Sequence, residues 1–314
     1  MAFEVPKTAY SGKIREVTLG RGEKAVTVGG ETAFPFYLFE GKMPRLPRIA
    51  MEVYDSPPED WPPAALEPFA GVTGDPVAWA RKCVKDYQAE MICLQLASTD
   101  PNGKNRPAAE AAKIVKSVAD AIDVPLIVWG TASLEKDTEV LKAAAEICRG
   151  RSLILGPVVE ANHKQIGAAA IANNHIVVAS TPIDINLAKQ LNILLGNLGV
   201  PDNMLLMDTS VSGIGYGIEY CYSVMERTRM AALTQGDAKL QVPIICNLAK
   251  ETWKTKEAKI TAKEDPKMGD AKKRGILLEA MTATLLLLAG ADVLIMRHPA
   301  AVKLVKEMLA GLTI

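Results

Sequence analysis

One unit repeats along this chain: a short apolar run, a polar tip, a turn and a helix. Met204–Tyr220, MLLMDTSVSGIGYGIEY, shows it most clearly. Met204–Met207 is unbroken apolar sequence, which suits a strand covered on both faces, as in a parallel sheet. Asp208, Thr209 and Ser210 follow where the strand should end. Gly213, Gly215 and Gly217 make the turn, and a helical pattern runs from Ile218 to about Leu233. Such a unit places its chemistry at the C-terminal end of the strand.

The same reading predicts further strands at Arg48–Tyr54, Met91–Ala97, Leu126–Trp129, Ser152–Leu155, Ile176–Ala179, Ile244–Leu248 and Val293–Met296. A helix is expected after each, the last over Ala301–Leu312. Val-Pro enters three strand regions, at Pro125, Pro201 and Pro243. Proline is tolerated there because a first strand residue need not donate to the ladder. Strict alternation implies a parallel sheet, and eight units imply a (β/α)8 TIM barrel, with an open doubly wound sheet as the alternative. Residues 46–314 are read as the barrel. Residues 1–45 do not fit the repeat. Ile14–Leu19 and Ala25–Val28 flank the turn Gly20-Arg21-Gly22-Glu23, so an N-terminal β-hairpin extension is expected, placed to plug the N-terminal end of the barrel.

Composition bounds the function. The 314 residues carry 36 acidic and 36 basic side chains, so no basic excess points to nucleic acid or an anionic membrane surface. MAFEVPKTAY lacks the pattern of a secretory signal. The apolar helix Ile276–Ala289 is too short to span a bilayer and contains Glu279. The expectation is a soluble, cytoplasmic protein without membrane or nucleic-acid partners. The five cysteines, Cys83, Cys93, Cys148, Cys221 and Cys246, are widely spaced. Iron–sulfur and zinc sites draw closely spaced pairs from one loop, so no metal site is expected on this chain.

Barrel sites lie at the C-terminal mouth, where the polar strand tips should converge. Asp208, Thr209 and Ser210 can donate and accept hydrogen bonds there, or cap the helix that follows. Gly213-x-Gly215-x-Gly217 is not the dinucleotide fingerprint, because its third glycine comes one residue early. It is either a tight turn or a backbone made to approach a large flat ligand. Tyr216, between glycines, is expected to project into the mouth. Arg297-His298-Pro299 sits at the last strand tip, where barrels often bind anions. His163 follows the fourth strand tip, and His175 reads as structural. No Ser–His–Asp set and no HxxxH spacing occurs. The charged loop Glu251–Arg274 reads as solvated surface, lid or docking loop.

Gly215-Tyr216-Gly217-Ile218-Glu219-Tyr220, Trp253-Lys254-Thr255-Lys256-Glu257, Gly269-Asp270 and Arg297-His298-Pro299 occur in this order, with Asp184-Ile185-Asn186 and Lys189-Gln190-Leu191-Asn192 before them. Together, across almost the whole chain, they resemble the small subunit of the corrinoid iron–sulfur protein, the methyl carrier of the acetyl-CoA pathway. Its archaeal relatives are delta subunits of the acetyl-CoA decarbonylase/synthase complex. The resemblance implies a (β/α)8 barrel paired with a larger subunit that carries a [4Fe–4S] cluster, with a corrinoid held at the subunit interface. The cobalt takes a methyl group from methyltetrahydrofolate through a separate methyltransferase and passes it to acetyl-CoA synthase. The DxHxxG motif by which many cobalamin proteins place a histidine below cobalt is absent. The residues expected to form one wall of the corrinoid site are Thr209, Ser210, Gly213, Gly215, Tyr216 and His298.

Two other readings compete. A stand-alone pterin-binding barrel methyltransferase would use residues such as Asp55, Asp184, Asp208 and Asn247. An aldolase-type barrel would need a Schiff-base lysine, for which Lys250 is the sole candidate near a strand tip.

Overall fold

The computed structural model describes residues 4–312; residues 1–3 and 313–314, at the ends of the expected extension and barrel, lie outside them. Ten strands occur among the described residues. They are β1 (Val17–Leu19), β2 (Val26–Val28), β3 (Arg48–Tyr54), β4 (Met91–Gln95), β5 (Leu126–Trp129), β6 (Ile154–Val158), β7 (Ile176–Ser180), β8 (Leu205–Asp208), β9 (Ile244–Asn247) and β10 (Ala291–Met296). Strands β3 to β10 close a parallel barrel in sequence order, sealed by β10 against β3. The doubly wound alternative is thereby excluded.

Alternation along each strand sorts its side chains into two cores. Ile49, Met51 and Val53 of β3 face outward and join the core shared with the helices. Ala50, Cys93, Ile127, Val178, Leu206 and Ile245 face inward and join a second core inside the barrel. The hairpin completes that inner core. β1 and β2 pair antiparallel, Val17 opposite Val28, and Val17, Leu19 and Val28 pack into the barrel's interior cluster. The hairpin therefore closes one end of the barrel with apolar side chains, as the sequence led us to expect.

Two segments differ from the sequence-based reading. The fourth barrel strand extends over Gly156-Pro157 to Val158, with a break in its pairing with β7 between Leu155 and Val158. Proline cannot donate to a ladder, so pairing is interrupted at that point. The charged loop after β9 contains short helices at Leu248–Trp253 and Lys256–Lys259. Thr255 caps the second of these by accepting from the Ala258 N–H. The alternating lysines and glutamates concealed these turns.

A buried charge cluster ties the N-terminal segment to the barrel. Arg229 donates to the carbonyls of Gly290 and Val242, both 3.1 Å, and to the Asp292 carboxylate. Asp292 also accepts from the Ile244 N–H at 2.6 Å. Glu31 is buried beside this pair, and its Oε2 has no partner. Burial, followed by the nearby Asp292 charge, pushes the Glu31 carboxyl up to about 9.

Two outcomes follow from this packing. Leu19→Ala removes a fully buried plug residue and should cost about 2–5 kcal/mol, read by denaturant unfolding. Glu31 should be protonated when folded, so its contribution to stability is largest at acidic pH and declines as pH rises between its unfolded and folded pKa values. Glu31→Gln, which keeps the neutral form, should therefore raise Tm at about pH 8 and change it little at about pH 4. Equal shifts at both pH values would show that Glu31 is ionised in the native state.

Candidate functional site at the barrel mouth

Each barrel strand carries inward-facing residues two apart. On six strands the last of these changes from apolar to polar: Ala50 to Glu52, Cys93 to Gln95, Val178 to Ser180, Leu206 to Asp208, Ile245 to Asn247, and Ile295 to Arg297 just past β10. The top interior layer is thus a ring of hydrogen-bonding groups above an apolar core. Arg297 pairs with Glu52 at 2.7 Å. Gln95 Nε2 donates to Glu52 Oε1 at 3.0 Å and to Asn247 Oδ1 at 3.2 Å. Ser180 Oγ donates to Asp208 Oδ2 at 3.0 Å, and the Ser210 N–H donates to Asp208 Oδ1 at 2.9 Å.

Above part of this ring lies a cleft of about 380 Å³, a volume within the range of small-molecule sites. Gln95, Ser180, Asp208 and Asn247 contribute its polar floor, and Trp129, Pro157, Val159, Pro182 and Val211 its apolar walls. Thr131, Ser210, Ser212, Lys250 and Glu251 also line it. Burial pushes the Asp208 carboxyl up to about 6, partly offset by its bonds from Ser210 and Ser180. Asn247 Oδ1 is engaged by Gln95, and its Nδ2 makes no hydrogen bond among the described residues. Thr181 lines the cleft as well, and its buried Oγ1 has no partner.

The six sequence-derived site residues separate. Ser210 lines the cleft with φ of +63°, and its Oγ bonds to Ser212 Oγ at 2.9 Å. Thr209 is buried outside the lining, its Oγ1 without a partner. Gly213 packs against its own loop, close to Gly217 O and Cys221 Sγ. Gly215 has φ of +89°, and a Cβ there would sit 2.9 Å from Thr255 Cγ2. This glycine therefore lets the loop after β8 rest on the loop after β9. Tyr216 projects outward, 92% exposed.

His298 is placed elsewhere. It is buried, stacked on Trp253 at 5.9 Å, and does not line the cleft. Burial lowers its pKa to about 4, so its ring is neutral. Buried Glu279 organises this corner. It accepts from the backbone N–H groups of Arg297 and His298, at 2.5 and 3.0 Å, and from Trp253 Nε1 at 2.8 Å. The Trp253 ring occupies the space of a side chain at Gly275, where a Cβ would lie 2.5 Å from it. The Arg297-His298-Pro299 and Trp253 segments are thus supports for the mouth. His163 likewise contacts the Glu160 carbonyl and lines no part of the cleft.

Of the residues suited to a pterin pocket, Asp208 and Asn247 line the cleft. Asp55 instead accepts from the N–H and hydroxyl of Ser98, and Asp184 caps the helix Ile185–Leu198 through the N–H groups of Asn186 and Leu187. Gln95 and Trp129 escaped the sequence reading because it counted them into the apolar runs and looked only beyond them; in the structure each is the last residue of its strand.

This geometry defines a class: a (β/α)8 barrel protein with a hydrogen-bonding cleft at the C-terminal mouth. The family model for the CO dehydrogenase/acetyl-CoA synthase delta subunit matches residues 16–313, and the chain belongs to that family. The acetyl-CoA decarbonylase/synthase complex subunit delta of Archaeoglobus fulgidus is 38% identical over 318 residues, covering 98% of this chain and 70% of that protein. Its counterpart from Methanothermobacter thermautotrophicus is 36% identical over 308 residues, covering 98% of this chain and 77% of that protein. Among solved structures, dihydropteroate synthase of Xanthomonas albilineans with 4-aminobenzoic acid aligns with a TM-score of 0.61 at 14% identity, over 96% of this chain and 100% of that one. That likeness is one of fold.

Trp253→Ala should cost about 3–5 kcal/mol, because it empties a fully buried site and leaves Glu279 one donor short. Thermal unfolding reads the loss. Proton exchange at the backbone amides of Arg297 and His298 should speed up with it, and unchanged exchange would show that Glu279 holds that corner without Trp253.

Proposed function

We propose that this chain is the barrel subunit of a corrinoid methyl carrier of the acetyl-CoA pathway, forming one wall of a corrinoid site whose other wall is a larger iron–sulfur subunit. Membership of the delta-subunit family over nearly the full chain carries the reading. The mouth is compatible with it. No histidine, cysteine or methionine lines the cleft, so this wall presents amides, hydroxyls, carboxylates and the Lys250 side chain, and no imidazole or sulfur ligand to cobalt. Among the described residues, no group of three or more His, Cys, Asp or Glu side chains is placed to hold a metal ion. The family resemblance alone assigns the cluster to the partner.

When bound, the corrinoid supplies a cobalt that accepts and releases a methyl group. This chain's residues supply shielding and orientation. The apolar walls and the exposed Leu134 and Tyr216 offer surface for the macrocycle, while the polar floor meets its periphery. The working partners are the iron–sulfur subunit, the methyltetrahydrofolate methyltransferase and acetyl-CoA synthase, in the cytoplasm. Among the described residues, no helix is long and apolar enough to cross a membrane. The stand-alone pterin methyltransferase reading is weaker, because Asp55 and Asp184 are committed to local hydrogen bonds.

Coexpression with the iron–sulfur subunit should yield a two-subunit complex with a corrinoid absorption spectrum. Failure to assemble, or assembly without corrinoid after reconstitution, would sink the proposal. Gly215 is a poor probe of the wall, because a side chain there strains the loop itself. Tyr216→Ala is the cleaner variant. It should leave Tm unchanged within about 1 °C, as expected of an exposed residue, and lower corrinoid retention in the complex. Full retention would remove Tyr216 from the wall.

A further inference from the structure

The corrinoid reading gives the floor of the cleft only a general place at the periphery of the macrocycle, yet its chemistry is specific. Three groups stand out. The Asp208 carboxylate is held by Ser180 and Ser210 and retains acceptor capacity. Asn247, on the neighbouring strand β9, has its oxygen fixed by Gln95. An amide so fixed turns its Nδ2 into a donor of known identity, which no group accepts among the described residues. Thr181 follows β7, its backbone N–H donating to the Asp208 carbonyl at 3.0 Å, while its buried hydroxyl has no partner.

A buried hydroxyl left unpaired costs about 1–3 kcal/mol, so an acceptor brought into the cleft beside Thr181 gains by meeting it. An acceptor beside a donor is the complement of an amide, whose N–H and C=O lie side by side. An anion fits poorly over the Asp208 carboxylate. A whole macrocycle exceeds a cleft of about 380 Å³, but the side arms that radiate from a corrin ring end in primary amides and are small enough to enter.

We propose that this cleft is a carboxamide subsite, in which Asp208 accepts from the amide N–H of a corrin side arm while Asn247 and Thr181 donate to its carbonyl oxygen. The inference rests on the corrinoid reading and deepens it. The ring stays at the rim, and the arm fixes its rotation about the axis through the cobalt. A corrinoid whose arms are carboxylic acids would place like charge against Asp208.

The test uses the two-subunit complex, stripped of corrinoid and titrated with cobinamide, whose arms are amides, or with cobyrinic acid, whose arms are carboxylates, with binding read from the visible spectrum. The parent complex should prefer cobinamide by about tenfold or more, the scale of one charge-assisted hydrogen bond. Asp208→Asn, which can donate to a carboxylate, should shrink that preference severalfold. Thr181→Val preserves shape and removes the unpaired hydroxyl. It should raise Tm and yet weaken cobinamide binding, whereas a purely structural hydroxyl would leave binding unmoved. If Asp208→Asn does not fold, the Thr181→Val pair of readouts decides alone. Cobinamide binding and selectivity unchanged in the variants would overturn the subsite and leave the corrinoid reading standing. A parent complex that binds neither corrinoid would overturn both.

Discussion

The ion pair between Glu52 and Arg297 is the contact on which the barrel mouth depends. It joins the first barrel strand to the end of the last, across a separation of 245 residues. Both side chains are almost wholly removed from solvent, and taking two charges out of water is repaid only when each finds full partners. Here both oxygens of Glu52 are engaged, by Arg297 Nε and by Gln95, and the guanidinium lies over the Trp61 ring at 3.6 Å. Gln95 then fixes Asn247. The pair that closes the seam therefore also orients an amide on the cleft floor, four bonded residues in sequence from β10 to β9 through the interior. Closure of the fold and preparation of the site are one network.

A second set of contacts holds the loops above that network. Glu279 reaches from the helix Ala271–Ala289 to the backbone after β10 and to the Trp253 indole. Burial pushes its carboxyl up to about 7, countered by the three donors it accepts. Arg274 adds bonds to the carbonyls of Glu257 and Met268, both 2.6 Å. A loop that reads as free charged surface is thereby anchored at both ends. Thr255 within it supports Gly215 of the preceding loop. The segments that carry the family resemblance are these supports, so what makes the chain recognisable is largely distinct from what lines its cleft.

The eight strands, the sealing of the first against the last and the plugging hairpin were legible because each depends on local periodicity. Apolar runs, proline at strand entries and polar tips are properties of short stretches. The site was only half legible, for a physical reason. Asp55, Asp184 and Asp208 look equivalent in sequence, each a carboxylate after an apolar run. All three accept from a backbone N–H, so which of them faces the cleft is decided by the course of the loop that follows. Asp55 meets Ser98 across a strand pair, Asp184 turns onto its own helix, and Asp208 points inward with Ser180 beside it. His298 misled for the same reason. Its place at a strand tip is correct, but the Trp253 stack and the Glu279 bond turn it into the wall behind the mouth.

The distribution of polarity at the mouth suits a subunit that shields a reactive metal without binding it. A strongly nucleophilic metal centre is quenched by protons and diverted by an added ligand. A wall over it should be apolar opposite the metal, carry no imidazole or thiolate, and place its hydrogen bonds at the periphery. The cleft has this arrangement within itself: proline, valine and tryptophan on the sides, amide, hydroxyl and carboxylate on the floor. Its Asp208 is held by Ser180 and Ser210 and keeps capacity to accept a further N–H. The cleft opens to solvent, and Tyr216 in the loop after β8 is 92% exposed. An open wall holds a large planar ligand only if something covers the other face. Under the proposed corrinoid reading, this chain would supply orientation, and retention and access would belong to the assembled complex.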